Sequence, residues 1–253
     1  MAAISRIVLT RQQESNQAWI KRLEADGFRV LDLPLLYFEP VPAPDDFGIE
    51  KFDWIVFTSP QGVRSFAKSG LQPKSTRIAT LGAGTRTVLA EFGWSDDLGA
   101  DCLDGVELAG VFADQVKTPG QVLLPGPKFR MADPRESLEK SGFTVTELPL
   151  YETLPIAPSS LPVAIFSPDD VVFFCSPSTV RAFTAAWLER PLCVAIGETT
   201  AVAARKFGFR TVVAATPDLE AMVKAMVEAK SQVSIQAPSP DPLSEPEKPE
   251  TES

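Results

Sequence analysis

Short apolar runs alternate with one-sided amphipathic segments along most of this chain. The runs at Ile4–Thr10, Arg29–Leu33, Trp54–Thr58, Arg77–Leu81, Gln121–Leu124, Thr144–Leu148, Val171–Cys175, Leu192–Ile196 and Thr211–Ala214 are rich in β-branched and aromatic residues. That pattern predicts strands buried on both faces. The intervening segments predict helices at Ser15–Asp26, Pro60–Lys68, Thr85–Phe92, Gly105–Val116, Pro134–Ser141, Ser178–Trp187, Thr200–Phe207 and Leu219–Ala229. Strand and helix in strict alternation predict an α/β fold with parallel sheets covered on both sides.

Two stretches break the alternation. One has prolines at 34, 40, 42 and 44, the other at 149, 155, 158 and 162. Both are too proline-dense for a helix or a central strand, and read as linkers or edge ribbons. They fall at equivalent places in an internal repeat. Gly27-Phe28, Val30 and Leu33-Pro34-Leu35 match Gly142-Phe143, Val145 and Leu148-Pro149-Leu150, and Gly82 and Thr85 match Gly197 and Thr200. The chain is thus two copies of one unit, roughly 1–115 and 116–230. If segments 35–44 and 149–160 run side by side as a two-stranded β-ladder connector, residues 45–148 form one flavodoxin-like lobe. Residues 1–34 and 161–230 then form the other, each lobe drawing on both copies.

Composition narrows the chemistry. There is no histidine among the 253 residues, which removes the commonest general base and the Ser-His-Asp and Cys-His arrangements. Cys102, Cys175 and Cys193 have no paired spacing, so neither a disulfide nor a metal site is expected. A net charge of −9 argues against a nucleic-acid surface. Residues 231–253 hold five acidic residues and five prolines against Lys248, and read as a disordered acidic tail. No run has the ~18 apolar residues of a membrane span. Met1–Arg11 lacks a signal peptide's apolar core, so a cytoplasmic, monomeric protein is expected.

Candidate chemistry sits where strands give way to helices. Phe57-Thr58-Ser59-Pro60 and Phe174-Cys175-Ser176-Pro177 each close a strand with a Ser and open a helix with Pro177 or Pro60, whose missing N–H is harmless there. Leu81-Gly82-Ala83-Gly84-Thr85 and Ile196-Gly197-Glu198-Thr199-Thr200 do the same with glycine and hydroxyl residues. One such turn is ordinarily a cap; four of them at carboxyl ends of strands suit an anionic ligand. The two tyrosines, Tyr37 and Tyr151, each follow a Leu-Pro-Leu, and a phenol is a reasonable acid in a protein without histidine. Lys128, Arg130 and Arg135 cluster after a strand end, and Arg11, Arg64, Arg86 and Arg181 lie near the turns, although most such cations merely solvate a surface.

Phe174-Cys175-Ser176-Pro177-Ser178-Thr179-Val180-Arg181 followed by Ala195-Ile196-Gly197-Glu198-Thr199-Thr200-Ala201 resembles the uroporphyrinogen-III synthase family. Leu9-Thr10-Arg11, Phe57-Thr58-Ser59-Pro60 and Leu148-Pro149-Leu150-Tyr151 extend the resemblance over residues 4–230. It implies two α/β lobes joined by a two-stranded ladder with the active site in the cleft. It implies a lyase that closes hydroxymethylbilane to uroporphyrinogen III, losing water and inverting the last pyrrole ring through a spiro intermediate, with no cofactor. Hand-over of substrate from hydroxymethylbilane synthase is part of that picture. The resemblance places Thr10, Arg11, Ser59, Gly82, Ser176, Pro177, Gly197, Thr199 and Thr200 at substrate-binding positions and Tyr151 where a tyrosine assists hydroxyl departure. Gln12, Gln61 and Pro125 depart from the usual pattern. The competing expectation is a non-catalytic two-lobed α/β module that binds a small molecule.

Overall fold

The computed structural model describes residues 6–236 apart from 100, 103, 131–133 and 164–165. Residues 4 and 5 of the expected first strand, and 237–253 of the expected tail, lie outside the described residues. Two five-stranded sheets organise the chain. The first contains β1 (Arg6–Leu9), β2 (Arg29–Asp32), β8 (Val171–Phe174), β9 (Leu192–Ala195) and β10 (Thr211–Val213), in the order β10-β9-β8-β1-β2. The second contains β3 (Leu36–Pro40), β4 (Trp54–Phe57), β5 (Arg77–Thr80), β6 (Gln121–Pro127) and β7 (Thr144–Pro155), in the order β3-β7-β6-β4-β5. The first sheet is parallel throughout, as is the run β7-β6-β4-β5 of the second. By contacts, Met1–Leu36 and Pro155–Ser253 make one compact unit and Tyr37–Leu154 the other.

Each sheet is buried on both faces, which explains why its strands are apolar without alternation. In β8, Val171 and Phe173 point into one core cluster and Val172 and Phe174 into another. In β4, Trp54 and Val56 face one cluster, Ile55 and Phe57 the other. The layers over the first sheet are α1 (Gln13–Ala25), α6 (Pro177–Ala186), α7 (Glu198–Lys206) and α8 (Leu219–Gln236). Those over the second are α2 (Pro60–Lys68), α3 (Ala83–Glu91), α4 (Gly105–Gln115) and α5 (Pro134–Lys140).

Strand pairing crosses the repeat. β1 pairs with β2 of its own copy on one side and with β8 of the other copy on the other, and β6 likewise lies between β7 of its own copy and β4 of the other. An isolated bridge between Ala79 and Leu98 stands in the second sheet where β10 stands in the first. In the proline-dense stretches Val41 N–H donates to Leu150 O and Ile156 N–H to Leu35 O, each at 2.9 Å, so numbers rise on one as they fall on the other.

Three extents differ from the expectations. β7 continues through Pro149 to Pro155, where β3 offers it a partner. β6 likewise runs on through Pro125 to Pro127, facing β7 across a register shift. α8 extends to Gln236, so residues 231–236 are helical and do not belong to an irregular tail; Met222, Met226 and Ala229 are buried along the helix and hold it down.

Candidate functional site

In the unit built on the second sheet, the carboxyl ends of β4, β6 and β7 bring together Ser59, Arg130 and Tyr151. Ser59 is the N-cap of α2; extended at φ −159°, it accepts the Gly62 N–H at 3.1 Å. Tyr151 is 6% exposed, and its hydroxyl lies 3.5 Å from Ser59 Oγ, at the outer limit of a hydrogen bond. Phe38 meets the Tyr151 ring edge-on, centroids 5.1 Å apart. Burial pushes the phenol pKa up, while Ser59 and the nearby Arg130 guanidinium pull it down. The phenol therefore keeps its proton through neutral pH and can act as an acid.

A register shift aims that ring. Gly126 faces Pro149 and Pro127 faces Tyr151, so Leu150 is the extra residue of a bulge. Leu150 and Tyr151, consecutive on the strand, are both buried. Arg130 donates to Thr58 Oγ1 at 2.9 Å and to Glu147 Oε1 at 3.2 Å. It is the residue that the sequence reading set aside among three clustered cations.

The other unit carries its own set at the carboxyl ends of β1, β8 and β9. Ser176 caps α6, extended at φ −160° and accepting the Thr179 N–H at 3.2 Å, a near copy of Ser59. Pro177 opens that helix. Arg11 stacks on Trp19, its Cζ 4.3 Å from the ring centroid. Thr10 is fully buried, and its hydroxyl donates to Phe173 O at 2.8 Å, tying β1 to β8. Thr200 is 3% exposed, whereas Thr199 points outward.

The two glycine turns are less alike than their sequences. Gly82 takes φ +80°, a conformation that favours glycine, while Gly197 is extended at φ −173°. Neither α3 nor α7 has a side-chain cap, so their leading N–H groups are left for a ligand or water. Thr85, expected as a cap, donates backward to Leu81 O at 2.7 Å. Sequence reasoning also missed Asn16. Fully buried beneath Arg11, it donates to Arg11 O at 3.2 Å and Asp32 Oδ1 at 2.6 Å, while its own Oδ1 has no partner.

Among the described residues no group of His, Cys, Asp or Glu could hold a metal ion, and no helix is long and apolar enough to cross a membrane. The three cysteines are unpaired. Burial pushes the Cys175 thiol up to about 12, so it is not a nucleophile beside Ser176 at neutral pH.

The family model for uroporphyrinogen-III synthase HemD matches residues 17–224. The chain belongs to the uroporphyrinogen-III synthase family. The chloroplastic uroporphyrinogen-III synthase of Oryza sativa subsp. japonica is 33% identical over 246 residues, covering 88% of this chain and 80% of that one. The porphyrin biosynthesis protein HemD of Ruminiclostridium josui is 28% identical over 88% of this chain, which spans 48% of that relative's length. Among solved structures, the uroporphyrinogen-III synthetase of Helicobacter pylori superposes with a TM-score of 0.67 at 18% identity, covering 89% of this chain and 99% of that one. At that identity the likeness speaks to the fold, which is the two-sheet α/β architecture described above. Family membership makes the chain an enzyme of porphyrin biosynthesis, a uroporphyrinogen-III synthase, and sets aside the expectation of a non-catalytic binding module.

Proposed function

We propose that the chain closes hydroxymethylbilane to uroporphyrinogen III, as a lyase, with Tyr151 as the acid that releases water. The observation that carries this reading is a protonated, buried phenol beside Ser59 at the carboxyl end of a parallel sheet, in a member of this family. The Tyr151 proton passes to the departing hydroxyl oxygen. The C–O bond breaks as the terminal pyrrole's nitrogen lone pair moves in, and water leaves. The cation so formed on the hydroxymethyl-bearing ring is attacked by the substituted carbon of the last ring, at the other end of the linear chain, to give a spiro centre. Fragmentation and reclosure invert that ring, and the proton finally lost from carbon restores the phenol.

An electron-rich pyrrole expels its own hydroxyl, so a weak acid is enough and orientation contributes most of the acceleration. Binding falls to groups suited to the substrate's carboxylates: the uncapped N–H groups of α3 and α7, the Ser59 and Ser176 hydroxyls, Thr199, and Arg11. Thr10 and Thr200 serve this reading as buried supports of those turns.

The test generates hydroxymethylbilane in place with its own synthase and resolves product isomers I and III. Wild-type chain is expected to give isomer III. Isomer I alone would end the proposal. Tyr151→Phe is expected to lower kcat by roughly 10²-fold, and full activity in that variant would remove Tyr151 from the acid role.

A further inference from the structure

Beyond β6, the middle strand of the second sheet, the chain reads Lys128-Phe129-Arg130, and Arg130 folds back over the strand it has left. Nη1 donates to Thr58 Oγ1 at 2.9 Å, just past β4. Nη2 lies 3.3 Å from Leu124 O and 3.5 Å from Pro125 O on β6. Nε donates to Glu147 Oε1 on β7 at 3.2 Å. One guanidinium thus ties three neighbouring strands at the ends that carry Ser59 and Tyr151. Its side chain is 11% exposed, where charge-assisted bonds are screened little by water.

Gly126 makes the room. A Cβ built there would run into the Arg130 guanidinium. Gly126 also stands at the register shift that brings Tyr151 opposite Pro127. Arg130 therefore packs on the backbone irregularity that aims the phenol. The residues it grips are the one before Ser59 and one on the same strand as Tyr151.

We propose that Arg130 is a positioning residue for the Tyr151–Ser59 pair: it braces the bulge, holds the phenol toward the end of β4, and keeps a positive charge beside the phenolate that proton donation leaves. The inference rests on the acid role proposed for Tyr151. The charges around that ring are Arg130 itself, Glu147 shared between Arg130 and Arg135, and the Lys128–Glu152 pair at 3.0 Å. Lys128 matches Glu152 and Arg135 shares Glu147, and of these charges Arg130 is the one that acts on the phenol. It acts against burial there, favouring the ionised form.

The experiment uses the fact that the chain has two tyrosines. Tyr37→Phe leaves Tyr151 as the single phenol, so phenolate absorbance titrates one group without substrate. In that background Arg130→Gln removes the charge, Arg130→Lys keeps the charge but loses the fork, and Gly126→Ala pushes an intact Arg130 aside. Arg130→Gln is expected to move the titration to higher pH and to lower kcat roughly tenfold, with KM within about twofold. Gly126→Ala should reproduce both effects, and Arg130→Lys should lower kcat while leaving the titration nearer its starting point.

An unchanged titration and kcat in Arg130→Gln would overturn the proposal. So would a loss confined to KM, which would make Arg130 a ligand for a substrate carboxylate. Should Arg130→Gln fail to fold, a titration and kcat in Gly126→Ala and Arg130→Lys equal to those of the Tyr37→Phe background would overturn it equally. Full activity in Tyr151→Phe together with a shifted titration in Arg130→Gln would instead sink the acid role and leave the placement of the charge standing.

Discussion

Tyr151 is the side chain on which the chemistry turns, and its environment makes a statement about pH. Burial raises its pKa above the ordinary phenol value, so the native state holds the proton that the unfolded state gives up first. Acid catalysis by this group is accordingly available from acidic to mildly alkaline pH. A kcat profile of the wild type should show no basic limb from Tyr151 until above the usual tyrosine range; a limb near neutrality that disappears in Tyr151→Phe would contradict the assignment. The cysteines obey the same sign. An unfolded thiol titrates near 9.0 and Cys175 and Cys193 are pushed up to about 12 by burial, so their contribution to stability is complete below 9.0 and is lost as pH rises through that window. Native protein at pH 8 should resist a thiol-specific reagent at all three cysteines, and react at three after denaturation.

Among the secondary-structure elements, the helix starts carry the clearest contrasts. Ser59 and Ser176 cap α2 and α6 with the same geometry, so replacing either with Ala should destabilise by about 1 kcal/mol in denaturant unfolding. Only Ser59 stands beside Tyr151, however, and Ser59→Ala is expected to lose more kcat than Ser176→Ala. Equal losses would show that both serines act as caps or carboxylate ligands alone. The glycine turns separate in stability. At φ +80° and ψ 148°, Gly82→Ala should cost about 1–3 kcal/mol, whereas Gly197→Ala, in extended backbone, should stay within about 0.5 kcal/mol. The pair reads from sequence as one motif used twice. The difference in φ belongs to the turn each strand end makes, and a two-residue match does not encode it.

For the chain as a whole, the consequential feature is that each sheet is built from both copies of the repeat. The first β-α-β piece is held to the later half by β1–β8 pairing, by Thr10 donating to Phe173 O, and by Arg6, which bridges Asp170 at 2.6 Å at the other end of the same strands. Asp170 is 3% exposed and also accepts the Ser167 N–H at 2.8 Å. Removing it as Asp170→Ala should destabilise by about 2 kcal/mol, less than a fully buried pair because Arg6 is partly in water. Urea unfolding followed by circular dichroism reads that change, and an effect within about 0.5 kcal/mol would show that strand pairing alone holds the piece.

Strand and helix identity, the parallel α/β class, the duplication and the proline-dense pair were all readable in the residues, because two-sided burial demands unbroken apolar runs and a repeat of 115 residues leaves matched turns. The Ser-Pro turns were readable for the same reason: their conformations follow from local rules about caps, prolines and strand ends. Tertiary structure alone decided the rest. Pairing β7 with β3 kept its prolines in the sheet, and the register shift at Gly126 turned Tyr151 inward. The Thr10 hydroxyl found a carbonyl 163 residues away to donate to, and Arg130 became the tie among three strands. Each of these depends on which distant backbone atoms arrive beside a side chain, and no local spacing carries that information.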